Sequence, residues 1–156
     1  MQGIFQKENT DKVLKYGIYR HLPTYEKIIR NLVSFYIKKI KMNFKPTGRY
    51  IVTDDKWFVF VLEQFISNAL KYTKKGQISI YMKEKSLVIE DTGIGIPAED
   101  LPRIFEKGFT GYNGRENKKS TGIGLYLCKN IMDKLQWNIT VDSEVGSGTK
   151  IYLTKM

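Results

Sequence analysis

Period-two runs in this chain arrive in adjacent pairs, each pair following an amphipathic helix, and that order leaves few folds open. Two strands joined by a short turn pair antiparallel, whereas a doubly wound parallel sheet needs a crossover between successive strands. "KIKMNFK" sets Ile40, Met42 and Phe44 on one face against lysines and Asn43, and "RYIVT" (49–53), after Pro46-Thr47-Gly48, reads as its hairpin partner. Ile78, Ile80 and Met82 alternate in the next strand, Leu87 and Ile89 in the one after it. "NITVDS" and "GTKIYLTK" close the chain as a hairpin around Gly146-Ser147-Gly148. The helices each carry one apolar face. "TYEKIIRNLVSFYIKKI" begins at Pro23-Thr24 and repeats Ile28, Ile29, Leu32, Val33, Tyr36 and Ile37 at helical spacing. "KWFVFVLEQFISNALKYTKK" is capped by Asp54 or Asp55 and ended by Gly76. The last has Ile123, Leu127, Ile131 and Leu135 with Cys128 and Met132 on its apolar side. One-faced helices cover one side of a sheet. The expected fold is an α/β two-layer sandwich, with helices packed on one face of a mixed, mostly antiparallel sheet.

A chain of 156 residues, 42% of them apolar, suits one globular domain with a single core. Residues 1–16 are polar without clear periodicity and read as a linker remnant, leaving 17–156 as the domain. Cys128, the one cysteine, permits no internal disulfide and falls in a helical stripe, as a buried thiol in a reducing compartment would. The net charge of +10 is spread along the chain (Lys38, Lys39, Lys41, Lys74, Lys75, Lys118, Lys119, Lys155). That spread reads as a solvated lysine-rich surface, with a polyanion partner as the alternative. The longest apolar run, "WFVFVL" (57–62), falls far short of the roughly 18 residues a membrane span needs. No signal peptide is visible, so the expected setting is the cytosol, as a free protein or as part of a membrane protein.

The stretch "SLVIEDTGIGIPAED" (86–100) puts a carboxylate, Asp91, at the lip of a strand and follows it with Gly93-Ile94-Gly95. Glycines there let a backbone approach a ligand closely. Gly93-x-Gly95-x-x-Ala98 matches the dinucleotide-binding string only loosely, because Pro97, Glu99, Asp100 and Pro102 stand where its helix should run. No Gly-Lys-Ser/Thr occurs, so a Walker A loop is absent. Pro102 limits any helix around Leu101–Phe105 to a first turn. An ordinary tight turn is the plain alternative for this stretch.

Two further elements shift that balance. "STGIGLYLCKN" places Gly122 and Gly124 at a helix start, where unpaired N–H groups and the positive dipole end attract phosphate. A Ser/Thr cap at Ser120 or Thr121 would be the structural reading. In "EQFISNALKYT", Gln64, Asn68 and Tyr72 fall at i, i+4, i+8, with Lys71 beside them, so all share one edge of the helix. An amide at Asn68, among apolar neighbours, needs a partner or costs about 1–3 kcal/mol. Its oxygen suits Mg²⁺, and a lysine one turn on can meet phosphate oxygens, although an exposed helix face would look similar. Between these elements "FTGYNGRENKKSTG" (109–122) is polar and glycine-rich, and reads as a mobile loop.

With these residues in place the sequence resembles the ATP-binding catalytic domain of bacterial sensor histidine kinases, in the superfamily shared with gyrase, Hsp90 and the mismatch-repair ATPases. The match runs from about Pro23 to the C-terminus with five motifs in the family's order. They are Asn68–Thr73 (N box), Asp91–Ile96 (first glycine box), Ile104-Phe105-Glu106 with Phe109 (F box), Thr121–Leu125 (second glycine box), and Gly146-Ser147-Gly148-Thr149. The resemblance implies that Asp91 accepts a hydrogen bond from the adenine amino group and that Gly93 and Gly95 give the base and lid room. Asn68 would hold Mg²⁺, Lys71 the phosphates, and Tyr72 the side of the adenine. Amides around Gly122, Gly124 and Leu125 would meet the phosphate chain, with Ile96, Phe105, Thr121 and Ile123 completing the ATP site. Thr149 would reach the adenine through water. Asn68 and Lys71 become the catalytic pair, and residues 106–121 the ATP lid.

The same resemblance implies a dimerisation and phosphoacceptor domain, a response regulator, no nucleic acid, and a membrane-anchored homodimer whose catalytic domain is cytoplasmic. The lysine-rich, short-loop style is similar to small Gram-positive kinases that sense envelope stress or antimicrobial peptides. His21, the only histidine, is followed by Leu22-Pro23 rather than the family's acid, so it reads as structural and the phosphoacceptor as lying on another domain. The ATP-hydrolysing relatives carry a glutamate four residues before the metal asparagine, where this chain has Gln64. An amide cannot serve as a general base, and Glu63 is turned about 100° away, which implies little intrinsic hydrolysis. The rival readings are a related ATPase or serine kinase, and a basic module for DNA or anionic lipid.

Overall fold

The computed structural model describes residues 14–17, 40–45, 50–111 and 121–156. Its elements are β1 (Leu14–Gly17), β2 (Ile40–Phe44), β3 (Tyr50–Thr53), α1 (Asp55–Tyr72), β4 (Gly76–Lys83), β5 (Ser86–Asp91), a 3₁₀ turn (Leu101–Arg103), α2 (Gly124–Lys134), β6 (Trp137–Glu144) and β7 (Gly148–Lys155). The helix expected after Pro23, His21, and residues 112–120 of the expected lid lie outside the described residues. β1 begins inside the stretch read as linker.

Five strands form the main sheet in the order β2-β4-β5-β7-β6, and β1 pairs with β3 in a separate two-stranded ribbon. β4, β5, β7 and β6 pair antiparallel, while β2 joins β4 in parallel. The mixed, mostly antiparallel sheet is as expected. The β2–β3 hairpin is not: β2 aligns Met42 with Ile78 and Phe44 with Ile80, and β3 turns away to β1. Alternation at Ile40, Met42 and Phe44 fixes which face is buried but says nothing about which strand lies alongside.

Both described helices lie on one face of the sheet. Asp54 caps α1, its carboxylate accepting from Trp57 N–H at 3.3 Å. Phe58, Val61, Leu62, Phe65, Ile66, Ala69 and Leu70 follow at helical spacing and are all buried, against Ile78, Ile80, Leu87, Ile89 and Leu153 from the sheet. Each large side chain so removed from water contributes roughly 1.5–3 kcal/mol. α1 ends at Tyr72, not at Gly76: Thr73 leaves the helix in an extended conformation, and Gly76 instead opens β4. In α2 the buried positions are Cys128 and Met132, with Leu125, Ile131 and Leu135 packed around them. Leu127 was expected on that face and is 39% exposed, since it sits about 100° round the helix from Cys128. Burial pushes the Cys128 thiol up to about 12, as an inert packing residue. The far face of the sheet is mostly polar around a buried Val88, with the Tyr81 hydroxyl donating to Glu90 at 2.7 Å.

Candidate functional site: a cleft between α1, α2 and the end of the sheet

A cleft of about 370 Å³ opens where the C-terminal half of α1, the end of β5, the 92–111 segment and the start of α2 converge. Of the residues singled out from sequence, Asn68, Lys71, Tyr72, Asp91, Gly95, Ile96, Phe105, Thr121, Gly122, Gly124, Leu125 and Thr149 line it. Gly93 and Ile123 do not. The floor of Ile89, Val141 and Ile151 was not singled out, although inward alternation on β5, β6 and β7 could have found it. Asp100 and Ser67 also line the cleft and carried no sequence signal.

Asp91 is the buried acid of the cleft, only 9% exposed. It ends β5 opposite Thr149 of β7, so the two side chains share the inner face. Gly93 N–H donates to its Oδ1 at 2.8 Å. Burial raises the carboxyl above the ordinary aspartate range, opposed by the Gly93 N–H and, less strongly, by the Thr149 backbone and the nearby Thr73 hydroxyl. A carboxylate held in a dry pocket with an open side toward a cleft is suited to accept a hydrogen bond from a ligand.

The loop after Asp91 is clamped from two directions. Ile94 N–H donates to Tyr72 O at 3.1 Å, fixing the loop to the end of α1, and Gly146 N–H donates to Ile94 O at 2.9 Å. Ile96 N–H donates to Ser143 Oγ at 2.8 Å. Gly95 (φ +73°) lies so close to β6 that a Cβ there would stand 2.0 Å from the Glu144 carbonyl oxygen. Only glycine fits both the space and the backbone angle.

On the opposite wall, α1 presents Gln64, Asn68, Lys71 and Tyr72 along one edge, with the Lys71 Nζ 5.0 Å from the Tyr72 ring centroid. Glu63 is exposed and outside the cleft, as its helical phase requires. α2 starts at Gly124 with Ile123 as N-cap, and among the described residues no side chain caps it. Thr121 therefore does not act as the structural cap, and the first N–H groups of α2 face the cleft's end with the positive dipole. Gly108 N–H donates to Gly122 O at 2.9 Å, bringing these two positions together. Arg103 stacks 4.6 Å from the Phe109 ring centroid and pairs with Glu106 at 3.1 Å, which holds this stretch together.

A buried acceptor at one end and a glycine-opened helix terminus beside an asparagine and a lysine at the other make a site for an elongated ligand with a polar head and an anionic tail. Comparison with known proteins gives the family. Residues 53–155 match the family described as histidine kinase-, DNA gyrase B-, and HSP90-like ATPase. The chain is 38% identical over 137 residues to the sensor protein BceS of Bacillus subtilis, covering 85% of this chain and 41% of that protein. It is 41% identical over 115 residues to the sensor histidine kinase YxdK of the same organism, covering 68% and 35%. With the sensor protein kinase GraS of Staphylococcus aureus it shares 43% over 108 residues, 67% of this chain and 31% of GraS. It thus spans about two fifths or less of the length of these relatives. Among solved structures, the catalytic domain of histidine kinase ThkA superposes with a TM-score of 0.70 at 15% identity, covering 92% of this chain and 95% of that one. Full-length ShkA in complex with AMPPNP gives 0.70 at 19% identity, covering 92% and 32%. The order of motifs, the sheet and the family match converge, and the chain belongs to the histidine kinase-, DNA gyrase B- and HSP90-like ATPases, as a domain of the sensor histidine kinase type.

Proposed function

We propose that the cleft binds ATP with its adenine against Asp91 and its triphosphate between α1 and the start of α2, and that the domain donates the γ-phosphate to a histidine on a separate dimerisation domain. The observation that carries this reading is the pairing of a buried, outward-open carboxylate with a glycine-opened helix N-terminus across one cleft. Asp91 would accept from the exocyclic amino group, with Tyr72 and Ile96 flanking the base. Lys71 and the amides around Gly122, Gly124 and Leu125 would neutralise and align the phosphates. Catalysis of this kind is positioning and charge stabilisation more than bond chemistry by side chains.

Mg²⁺ would enter with the nucleotide. Among the described residues no group of three or more His, Cys, Asp or Glu could hold a metal. The cleft-lining carboxamide of Asn68, one helical turn after that of Gln64, suits an ion that keeps most of its oxygens from phosphate and water. The ion would supply charge neutralisation at the phosphates. Among the described residues no helix is long and apolar enough to cross a membrane. The greater length of the relatives and their sensor-kinase names support a larger kinase; a phosphoacceptor domain, a response regulator as the next carrier, and a membrane-anchored dimer with this domain in the cytoplasm belong to the same proposal.

A titration with a fluorescent ATP analogue, with and without Mg²⁺, tests the site. Asp91→Asn should weaken binding about tenfold or more, because a lost hydrogen bond to a charged group is worth roughly 1.5–3 kcal/mol. Unchanged affinity would remove adenine from the cleft. Adding the dimerisation domain of the full-length kinase with γ-labelled ATP tests transfer, which should label its histidine.

A further inference from the structure

Behind the cleft, one hydroxyl holds three partners. Ser143 Oγ accepts from Ile96 N–H at 2.8 Å, donates to Gly148 O at 2.9 Å, and lies 2.8 Å from Thr149 Oγ1. A serine hydroxyl has one proton and two acceptor positions. With its proton on Gly148 O and one acceptor position taken by Ile96, its last capacity is to accept, so the Thr149 hydroxyl must donate to Ser143. The Thr149 oxygen then has only lone pairs to turn toward the cleft it lines. Asp91, its register partner across β5 and β7, is also an acceptor when ionised.

We propose that Ser143 is a specificity-determining positioning residue: it locks Thr149 as a hydrogen-bond acceptor beside Asp91, so that this end of the cleft selects a purine with an exocyclic amino group over one with a carbonyl. The inference rests on the ATP reading and adds to it. Two fixed acceptors side by side match an amino group with two N–H bonds and repel a carbonyl oxygen, and rejection of this kind comes from the unpaired polar contacts that the wrong ligand leaves. Ser143 also anchors Ile96, but loss of that anchor should loosen the loop for every nucleotide alike. Discrimination is therefore the reading that isolates the Thr149 lock.

The experiment measures affinities of the whole chain for ATP and for inosine triphosphate, which differs at the six position by a carbonyl and a ring N–H. The parent should prefer ATP. In Ser143→Ala the freed Thr149 hydroxyl can rotate and donate to a carbonyl, and the preference should fall by about fivefold or more, the scale of one neutral hydrogen bond. Ser143→Cys, which fills the space with a weakly bonding thiol, should give the same fall and serves if the alanine variant does not fold. In a Thr149→Val background, Ser143→Ala should change the preference no further. Equal weakening of both nucleotides, or a continued fall in the Thr149→Val background, overturns the Ser143 proposal while leaving the ATP site intact. A parent that binds neither nucleotide overturns the ATP reading itself and the proposal with it; one that binds both without preference overturns the Ser143 proposal while leaving nucleotide binding intact.

Discussion

The side-chain oxygen of Gln64 on α1 occupies the space beside Gly124 at the start of α2, 2.6 Å from where a Cβ on that glycine would stand. At this end of the cleft the two helices thus approach through one amide and one missing methyl group. Glycine at a helix position usually lowers stability by roughly 0.5–1 kcal/mol relative to alanine. Its presence here is explained by the neighbour across the gap.

Gly124→Ala should accordingly separate stability from binding. Helix propensity favours the alanine, and the atom it meets is the end of a flexible side chain, so a urea melt should move by no more than about 1 kcal/mol either way. The displaced Gln64 already lines the cleft and can swing into it, and the first turn of α2 carries a methyl where phosphate would approach. Affinity for an ATP analogue should fall about tenfold, near the 1.4 kcal/mol that a tenfold change represents. A melt and a titration on one preparation decide it, and undiminished affinity would show that Gln64 and α2 do not border the phosphates.

Gln64→Glu tests what the amide withholds. The same position then offers a carboxylate, able to accept a proton from water, next to the positive end of the α2 dipole, which keeps it ionised. The parent should hydrolyse ATP barely above background. The variant should release phosphate at least about tenfold faster, a modest share of the roughly 10²–10⁴ that a positioned base can supply. A phosphate-release assay over hours is sufficient, and equal rates would mean that Gln64 does not stand where the attacking water would.

Much of this site was legible because it is local. Asp91 closes a strand, Asn68 and Lys71 share a helix edge, and Gly122-Gly124 open a helix, so spacing alone placed each on its element. The resemblance supplied how they meet. Non-local facts were not legible. The parallel partnership of β2 with β4 and the Ser143 contacts with Ile96 and Thr149 depend on which distant segment arrives alongside, and a period-two pattern is silent about that. Leu127 shows the limit within a helix: a broad apolar stripe tells that a face exists, and only packing decides which edge of it stays wet.

The loop clamp predicts a contrast between two glycines near the β6–β7 turn. Gly95 and Gly146 both have positive φ, +73° and +85°. At Gly95 a Cβ would collide with the Glu144 carbonyl at 2.0 Å, whereas at Gly146 it would meet nothing within 4 Å. Gly146→Ala should cost only the left-handed backbone penalty, roughly 1–2 kcal/mol. Gly95→Ala must in addition move the loop off β6, so its unfolding midpoint should drop further and its nucleotide affinity should fall. Equal melts for the two variants would mean that the loop can lift away without loss.

The raised Asp91 carboxyl fixes the sign of the pH response. Its folded pKa lies above the unfolded aspartate value, chiefly through burial. The folded state therefore holds this proton more tightly than the unfolded one. Through the window between the unfolded and folded values, falling pH relieves the buried charge and this group's contribution favours folding. Rising pH removes that contribution. Binding runs the other way. An amino donor needs the ionised acceptor, so affinity for an ATP analogue should begin to fall at a higher pH than an ordinary carboxylate would produce. Asp91→Asn should abolish that limb of the profile while melting at pH 7 no lower than the parent, since it replaces a desolvated charge with a neutral amide of the same shape. Titrations across the acid range on both proteins provide the check. A parent profile that stays flat until the ordinary aspartate range would mean that Asp91 is not desolvated in solution, and the adenine contact would lose its buried carboxylate.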